Sequence, residues 1–475
     1  MKAMIKSSKI YKSIIGVTMV LFASSCESYL DVNENPNNPQ DAPLSGMMTH
    51  VTYQSALNTY RLGSFTSYYV QYLASPNPGS STDTMEPVNY SSTWFNLYNV
   101  MTDLYVMMQK AEESGASNYM GAAQIMMALN MSMTVDIFGD IPFSEGFDFE
   151  TLTPVYDDDM VLYDQALEYL DQGIQNLRGE SIYTMEEDDF IFAGDLDKWE
   201  AFGNMLKARL MIHIKGQAGY SAEEVLSAVE SGFASNRDNA QVIFFEQNIN
   251  PWSAVARDNA NLLLGGWISE QFIQALDGTS YPMEDPRLEL LVGTTDDGEY
   301  IGTENGAGRG NAPEKGARST LIQGQYYTSE LSPVLIGTYA EQKFIEAEAA
   351  FDSDKARAYQ AYLDGIEANM EMLEVPSGEM EAYLDDPSVS MGEAAFTMED
   401  IFKEKWVAMF LHPETWNDAR RFDYAYKDMT TPANLNTGLN GQFIRRLAYP
   451  DSEVSRNGQN VPSVTLLDRI FWDGE

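Results

Sequence analysis

A mainly α-helical protein, built as an irregular stack of four helix pairs with loop-rich segments laid over it, is what this sequence predicts. Three observations carry that expectation. Long segments repeat apolar residues at helical spacing, short breaks such as ESGAS set those segments in pairs, and two stretches, 233–330 and 427–475, are rich in Gly, Asn, Pro and Thr with only short apolar runs. No pair carries the full Trp, Leu-Gly, Tyr and Ala-Phe-Pro pattern of a tetratricopeptide repeat. Degenerate repeats and an irregular helical domain both stay open on pattern alone.

Taken in order, residues 43–73 place apolar and aromatic groups at helical spacing and run into SPNPGSSTDTMEPVNYSST, whose three prolines and repeated serines make a loop. A loop this long inside a compact domain usually binds something. Residues 94–113 and 117–135 form the first hairpin, and 157–177 with 198–215 the second. GYSAEEVLSAVESG, 219–232, is a helix with Ser221 as N-cap, Glu224 completing a capping box and Gly232 at its end. The third pair is 333–351 with 354–373, and the fourth begins at 398–410.

The N-terminus reads as an export signal. Lys2, Lys6, Lys9 and Lys12 precede an apolar run over 14–23, and the small residues Ala23, Ser24 and Ser25 lead into Cys26, the only cysteine. The run is about half the length a bilayer-spanning helix needs. Cleavage before Cys26 frees that cysteine to take lipid on its sulfur, which resembles a bacterial lipobox with Ala23 where leucine is commoner. The other reading is a buried N-terminal helix with a free core thiol. A lone exported cysteine forms no intramolecular disulfide, so lipidation explains it more economically. Removal of 1–25 takes away four lysines and no acid, so the formal charge falls from −42 to −46. The Asn- and Pro-bearing stretch 27–40 then supplies a tether.

That charge, with a pI near 4.2, excludes nucleic acid as a partner, because phosphate neutralisation needs concentrated Lys and Arg. The chain has three histidines, His50, His213 and His412, far apart, and no HExxH pair, phosphate loop or Gly-x-Ser-x-Gly elbow. His213 lies on an apolar helix and is expected inside. The acid runs 156–160 and 186–190 could supply paired carboxylates for glycoside hydrolysis, but consecutive acids usually mark helix starts and solvated faces. No cofactor is required; DPSVSMGE and TTDDGEY are oxygen-rich turns that could hold a structural calcium.

Aromatic residues are abundant, with 7 Trp, 27 Tyr and 22 Phe. Exposed rings stack on sugars or grip peptide side chains, with neighbouring amides and acids supplying directed hydrogen bonds. Three places offer that combination: Tyr72 with Asn77, Asp83, Asn89 and Trp94 around the first loop; Trp252 with Asn259; and Tyr326 with Tyr327. Core packing is the competing role for Trp94, Trp267, Trp406 and Trp416.

DVNENPNNPQDA at 31–42, DIFGDIPFSE at 136–145, then KFIEAEAAF, WNDARRFDY, RRLAYPDSEVSRNGQN and the terminal RIFWDGE resemble, in that order, the SusD/RagB-like family of nutrient-binding outer-membrane lipoproteins of Bacteroidetes, in its second SusD-like branch. The resemblance implies four tetratricopeptide-like helix pairs with a loop-rich ligand-binding region. It also implies a lipid-anchored lid on the cell surface that passes a nutrient to a TonB-dependent, SusC-like transporter. Glu27, Asp31 and Glu34 resemble the surface-export signal of these bacteria. On this reading 1–25 is the leader, 26–42 the lipidated tether, and 43–475 one helical domain with insertions near 74–93, 233–330 and 427–475. The motif residues read as architecture: Gly139, Asp140 and Pro142 turn the chain, Glu346 pairs with Lys343 or an arginine, Trp416 is a structural motif residue expected in the core, and Arg420, Arg421, Arg445 and Arg446 clamp the C-terminal region. The expected function is noncatalytic capture of an oligosaccharide, with a peptide as the alternative ligand and surface hydrolysis a more distant one.

Overall fold

The structure, a computed structural model, describes residues 42–147, 150–259, 261–313 and 315–474. The leader, Cys26 and the tether through residue 41 lie outside the described residues. From its start the chain forms α1 (Leu44–Tyr69), β1 (Leu73–Ala74), α2 (Ser91–Ser114), α3 (Ser117–Phe138), α4 (Asp159–Leu177), α5 (Leu196–His213) and α6 (Ala222–Glu230). A region of short elements follows: β2 (Ala240–Ile243), β3 (Trp267–Ile268), α7 (Glu270–Leu276), β4 (Val292–Gly293), β5 (Thr320–Leu321) and β6 (Pro333–Gly337). Helices resume with α8 (Tyr339–Ala350), α9 (Lys355–Met372), α10 (Ser377–Leu384), α11 (Met398–Ala408) and α12 (Glu414–Arg421), and α13 (Asp451–Arg456) lies in the C-terminal stretch. The molecule is mainly α-helical.

α3 organises the first half. All its residues except Ser117 and Met120 are buried, as a helix apolar on every side must be. It packs on α2 and, most closely, on α4, where Gly121 and Gly173 face each other. A β-carbon on either glycine would lie 2.7 Å or 2.9 Å from the other's carbonyl oxygen, so the two backbones could not approach as they do with larger residues. Asp158 caps α4 through the amides of Met160 and Val161, Asp195 caps α5, and Ser221 caps α6 through Glu224 N at 3.3 Å.

In the second half α8 packs on α9, and α11 packs on both rather than forming a close pair with α12. Residues 333–351 depart from the expected helix. Pro333 to Gly337 is instead a strand, antiparallel to β2, because Val334 and Ile336 are β-branched and Thr338 caps a helix that starts only at Tyr339. A second antiparallel sheet, ordered β1-β3-β5-β4, was not foreseen; its two-residue strands are too short for a periodic signal. It ties the segment after α1 to the region carrying α7.

The C-terminal stretch is clamped onto α3 and α12. Arg420 donates to the carbonyls of Asp136 (2.7 Å) and Arg445 (2.8 Å), and Arg445 donates to Arg420 O and Asp473. Arg421 is ion-paired with Glu348 and Asp418, and Glu346 takes Lys343 and Arg357. Arg446 donates to the carbonyl of Phe138. Gly139 makes room for it: at φ 75° a β-carbon there would lie 2.9 Å from the Arg446 guanidinium. Gly139→Ala is therefore expected to cost about 2–3 kcal/mol, from backbone strain and the displaced arginine, read as a lower urea midpoint. Pro142 and Asp140 complete the turn, Pro142 O accepting from Tyr98 and Asp140 from Asp159 N.

Candidate functional site

A polar trough runs between α7, the loop 300–310 and the loop 428–433. It comprises two adjoining recesses of about 430 and 350 Å3, which share Glu270, Gln274 and Glu304. Both volumes fall in the range of small-molecule pockets. Tyr300, Gly302 and Arg318 line the larger recess; Gln71, Asn305 and Asp428 line the smaller.

Local chemistry explains why these residues converge. Ser269 caps α7 by accepting from Phe272 N and donates to Gln71 O, which joins the helix to the end of α1. The returning loop lies flush against α7, with Glu270 N on Thr303 O (3.0 Å) and Thr303 N on Ile268 O (2.9 Å). Asp83 holds the loop from behind. Its carboxylate accepts from Asn305 Nδ2 (2.5 Å), Gly306 N (2.6 Å) and Ser75 N (3.1 Å). Burial pushes the Asp83 carboxyl up to about 6, and these donors only partly offset it. The far wall hangs on that loop through Ala433 N to Asn305 O, and on the segment after α1 through Gln71 Nε2 to Thr430 O.

The trough presents the carboxylates of Glu270, Glu304 and Asp428 as acceptors, and Arg318, whose Nε has no partner among the described residues, as a donor. Its acids, amides and hydroxyls face an aromatic ring, Tyr300, which is half-buried. Gln71 and Asn305 are enclosed, yet Gln71 Oε1 and Asn305 Oδ1 have no hydrogen-bond partner among the described residues. Buried acceptors of this kind are costly unless something supplies a donor.

The residues singled out in the sequence are placed differently. Asp83 supports the trough from beneath, and Asn77 lies on its flank, donating to Leu263 O. Tyr72 is a correction: it is fully enclosed, stacked on Trp406 at 5.4 Å. Trp94 is likewise core, packed against Tyr98 and Phe138, because Tyr156 and Tyr449, from the segment before α4 and the C-terminal stretch, close over it. Trp252 and Tyr327 are buried beside a cavity with about 20 Å3 open to a water-sized sphere, room for one water and not for a sugar ring. Tyr326 is half-buried, edge-on to Tyr327. Asn89 accepts from Ser91 N and donates to Asp451, tying the start of α2 to α13. The side chain of Asn259 lies outside the described residues. Trp416 is enclosed, its indole donating to Tyr424.

The acid runs also have structural work. Asp157 accepts from Phe143 N, Ser144 N and Ser144 Oγ; Asp189 accepts from Ile191 N, Gly194 N and Trp199 Nε1. Neither pairs with a second acid across an open cleft. Asp136, Tyr163, His213 and Glu414 form a hydrogen-bonded set that looks catalytic in composition, but all four are enclosed. Burial opposes ionisation of Glu414, yet His213, Arg209 and Lys405 outweigh it and hold its carboxyl well below the usual range. This set cements α3, α4, α5 and α12. Among the described residues, Asp140, Asp158 and Asp159 lie with carboxylate oxygens within 4.8 Å of one another and could hold a cation. That place is neither of the two oxygen-rich turns. No helix among the described residues is long and apolar enough to cross a membrane.

Glu270, Gln274, Tyr300, Glu304, Arg318 and Asp428 escaped sequence reasoning. They sit in segments read only as loop-rich, and the one signal near them, the oxygen-rich turn TTDDGEY at 294–300, pointed to calcium and not to Tyr300 as a ligand ring.

Solved structures share the fold. A SusD/RagB family protein from Bacteroides thetaiotaomicron superposes with a TM-score of 0.74 at 23% identity, over 91% of this chain and 99% of that one. A SusD homolog from Bacteroides uniformis gives 0.75 at 22%, over 92% and 100%. A chitin-binding SusD homolog from Flavobacterium johnsoniae gives 0.76 at 20%, over 90% and 98%. No curated protein matches. The family model described as "Starch-binding associating with outer membrane" matches residues 36–450. With most of its length inside that match, the chain belongs to the SusD-like family, whose members are binding proteins and not enzymes.

Proposed function

We propose that this protein is a cell-surface lipoprotein that captures an oligosaccharide in the trough between α7 and the loops 300–310 and 428–433, and delivers it to a TonB-dependent, SusC-like outer-membrane transporter. The lipid on Cys26 anchors it to the outer membrane, and tetratricopeptide-like helix pairs form the scaffold of one domain over 43–475. The single observation that carries the reading is the trough itself: a half-buried ring beside acids, amides and hydroxyls, in a chain whose family binds nutrients at the outer membrane. That wall matches a sugar, with an apolar ring face for Tyr300 and hydroxyls for the acceptors. A relative at low identity is described as chitin-binding, which agrees with a glycan. The function needs no cofactor; calcium at Asp140, Asp158 and Asp159 would be structural.

A peptide is the second reading, favoured by the carboxylates of the trough and the net charge of −42, which draw cationic chains. Calorimetry against matched panels of oligosaccharides and peptides separates the two. Tyr300→Ala is expected to weaken binding of the best oligosaccharide about tenfold, the equivalent of about 1.4 kcal/mol of lost stacking. Binding of peptides alone, or glycan binding indifferent to Tyr300→Ala and Glu304→Gln, overturns the assignment.

A further inference from the structure

We infer that the smaller recess of the trough is an ammonium subsite, so that the oligosaccharide captured there carries an unblocked, protonated amino group. The inference rests on the proposed function and names its substrate class.

Three carboxylates, Glu270, Glu304 and Asp428, line this recess, and no Lys or Arg lines it. None of the three forms an ion pair among the described residues; Glu270 is engaged only by the neutral Gln274 amide at 3.1 Å. The nearest lysine in sequence, Lys427, is turned away and donates to Ser280 O beside the Tyr281 ring. Among the described residues the acids therefore have no ion-paired counter-ion; Arg318 stands on the wall of the larger recess, which Glu270 and Glu304 also line. An independent observation points the same way. Gln71 and Asn305, at 0% and 1% exposure, line the recess, and each keeps a carbonyl oxygen without a partner, while its NH2 is committed to Thr430 O or to Leu73 O and Asp83. At Gln71 and Asn305 the recess thus offers buried acceptors whose own amide donors are already spent.

A sugar hydroxyl brings one proton, whereas an ammonium brings three and a full positive charge. Only the latter satisfies several acceptors and offsets the acids together, through charge-assisted hydrogen bonds. The larger recess next to it differs, with Tyr300 and Arg318 on its wall, and suits a neutral ring of the same chain. The protein's negative field also concentrates cationic ligands near its surface.

The test is calorimetry of the full folded protein at pH 6 with a tetramer of glucosamine, its fully N-acetylated counterpart, a neutral glucose tetramer and tetralysine. The glucosamine tetramer is expected to bind at least tenfold more tightly than the N-acetylated one, with the advantage shrinking as salt rises. The Glu304→Gln/Asp428→Asn variant is expected to abolish that advantage. Neither carboxylate takes part in an ion pair or hydrogen bond among the described residues, so the variant should fold; its circular dichroism checks this. Equal binding of the two amino-sugar tetramers, or an advantage that survives the double variant, overturns the ammonium subsite while leaving oligosaccharide capture standing. Binding of tetralysine with none of the sugars overturns both.

Discussion

Arg287→Met is expected to destabilise the protein by about 3–5 kcal/mol, the cost of leaving buried charges without their partner. Arg287 is fully enclosed. It makes a two-pronged contact with Asp285 (2.9 and 2.6 Å), and also reaches Glu404 (2.5 Å) and Asn369 (3.0 Å). Burial opposes ionisation of Asp285, but Arg287 and then Lys403 outweigh it and hold its carboxyl below the usual range; Glu404 is held down by Lys403 and then Arg287 against the same penalty. Depressed carboxyls contribute stability that is present above their unfolded values and lost on acidification. Without Arg287 both are pushed up, so the deficit should be largest near pH 7 and narrow toward pH 5. Urea unfolding at both pH values reads this. Adding Asp285→Asn alone should recover at least half the loss, since Glu404 keeps Lys403 as its partner and the double variant buries no unpaired charge. A cost under about 1 kcal/mol would mean that Lys403 suffices. The site has a stake here, because Asp285 N bonds to Leu276 O at the end of α7 (2.7 Å).

Arg420→Met carries the second large effect, again about 3–5 kcal/mol by loss of a buried, hydrogen-bonded cation. The guanidinium lies between Trp416 and Trp472, at 4.0 and 4.6 Å from the ring centroids, and satisfies carbonyls of both α3 and the C-terminal stretch. Its loss should free that stretch locally before global unfolding. Limited proteolysis is expected to cut within 445–474 in the variant at concentrations that spare the parent. Arg420→Lys should not restore resistance, since one ammonium cannot span the four acceptors that the planar fork serves, the carbonyl oxygens of Trp416, Asp136 and Arg445 and Asn417 Oδ1. Affinity per folded molecule should stay unchanged, because none of these groups lines the trough; a selective loss of binding would make Arg420 part of the ligand site.

The helices were legible because their signals are local. Ser221 with Glu224, the ESGAS break and the uniformly apolar α3 each announce an element within a few residues. The strand at 333–337 was misjudged because a short apolar run before a helix has no distinctive period. The trough was hidden for another reason: it is assembled from contacts between distant parts of the chain. Asp83 meets Asn305 across 222 positions, and Gln71 meets Thr430 across 359. Aromatic identity misled as well. Trp94 and Tyr300 are both plausible rings on paper, and only packing decides that Trp94 is enclosed while Tyr300 is half-buried on the wall of the larger recess. The DIFGDIPFSE and WNDARRFDY motifs were informative about architecture, since Gly139 and Arg420 act within the clamp that those segments form.

That clamp fixes when the molecule can be finished. Trp472 donates to Asp136, near the end of the chain's first third (3.0 Å), and Asp473 receives Arg445. The interior therefore cannot be sealed until Trp472 and Asp473 have reached Asp136 and Arg445. Prematurely terminated or tail-clipped copies would leave the Asp136 cluster open to water and lacking partners, and quality-control proteases would meet them as unfinished chains.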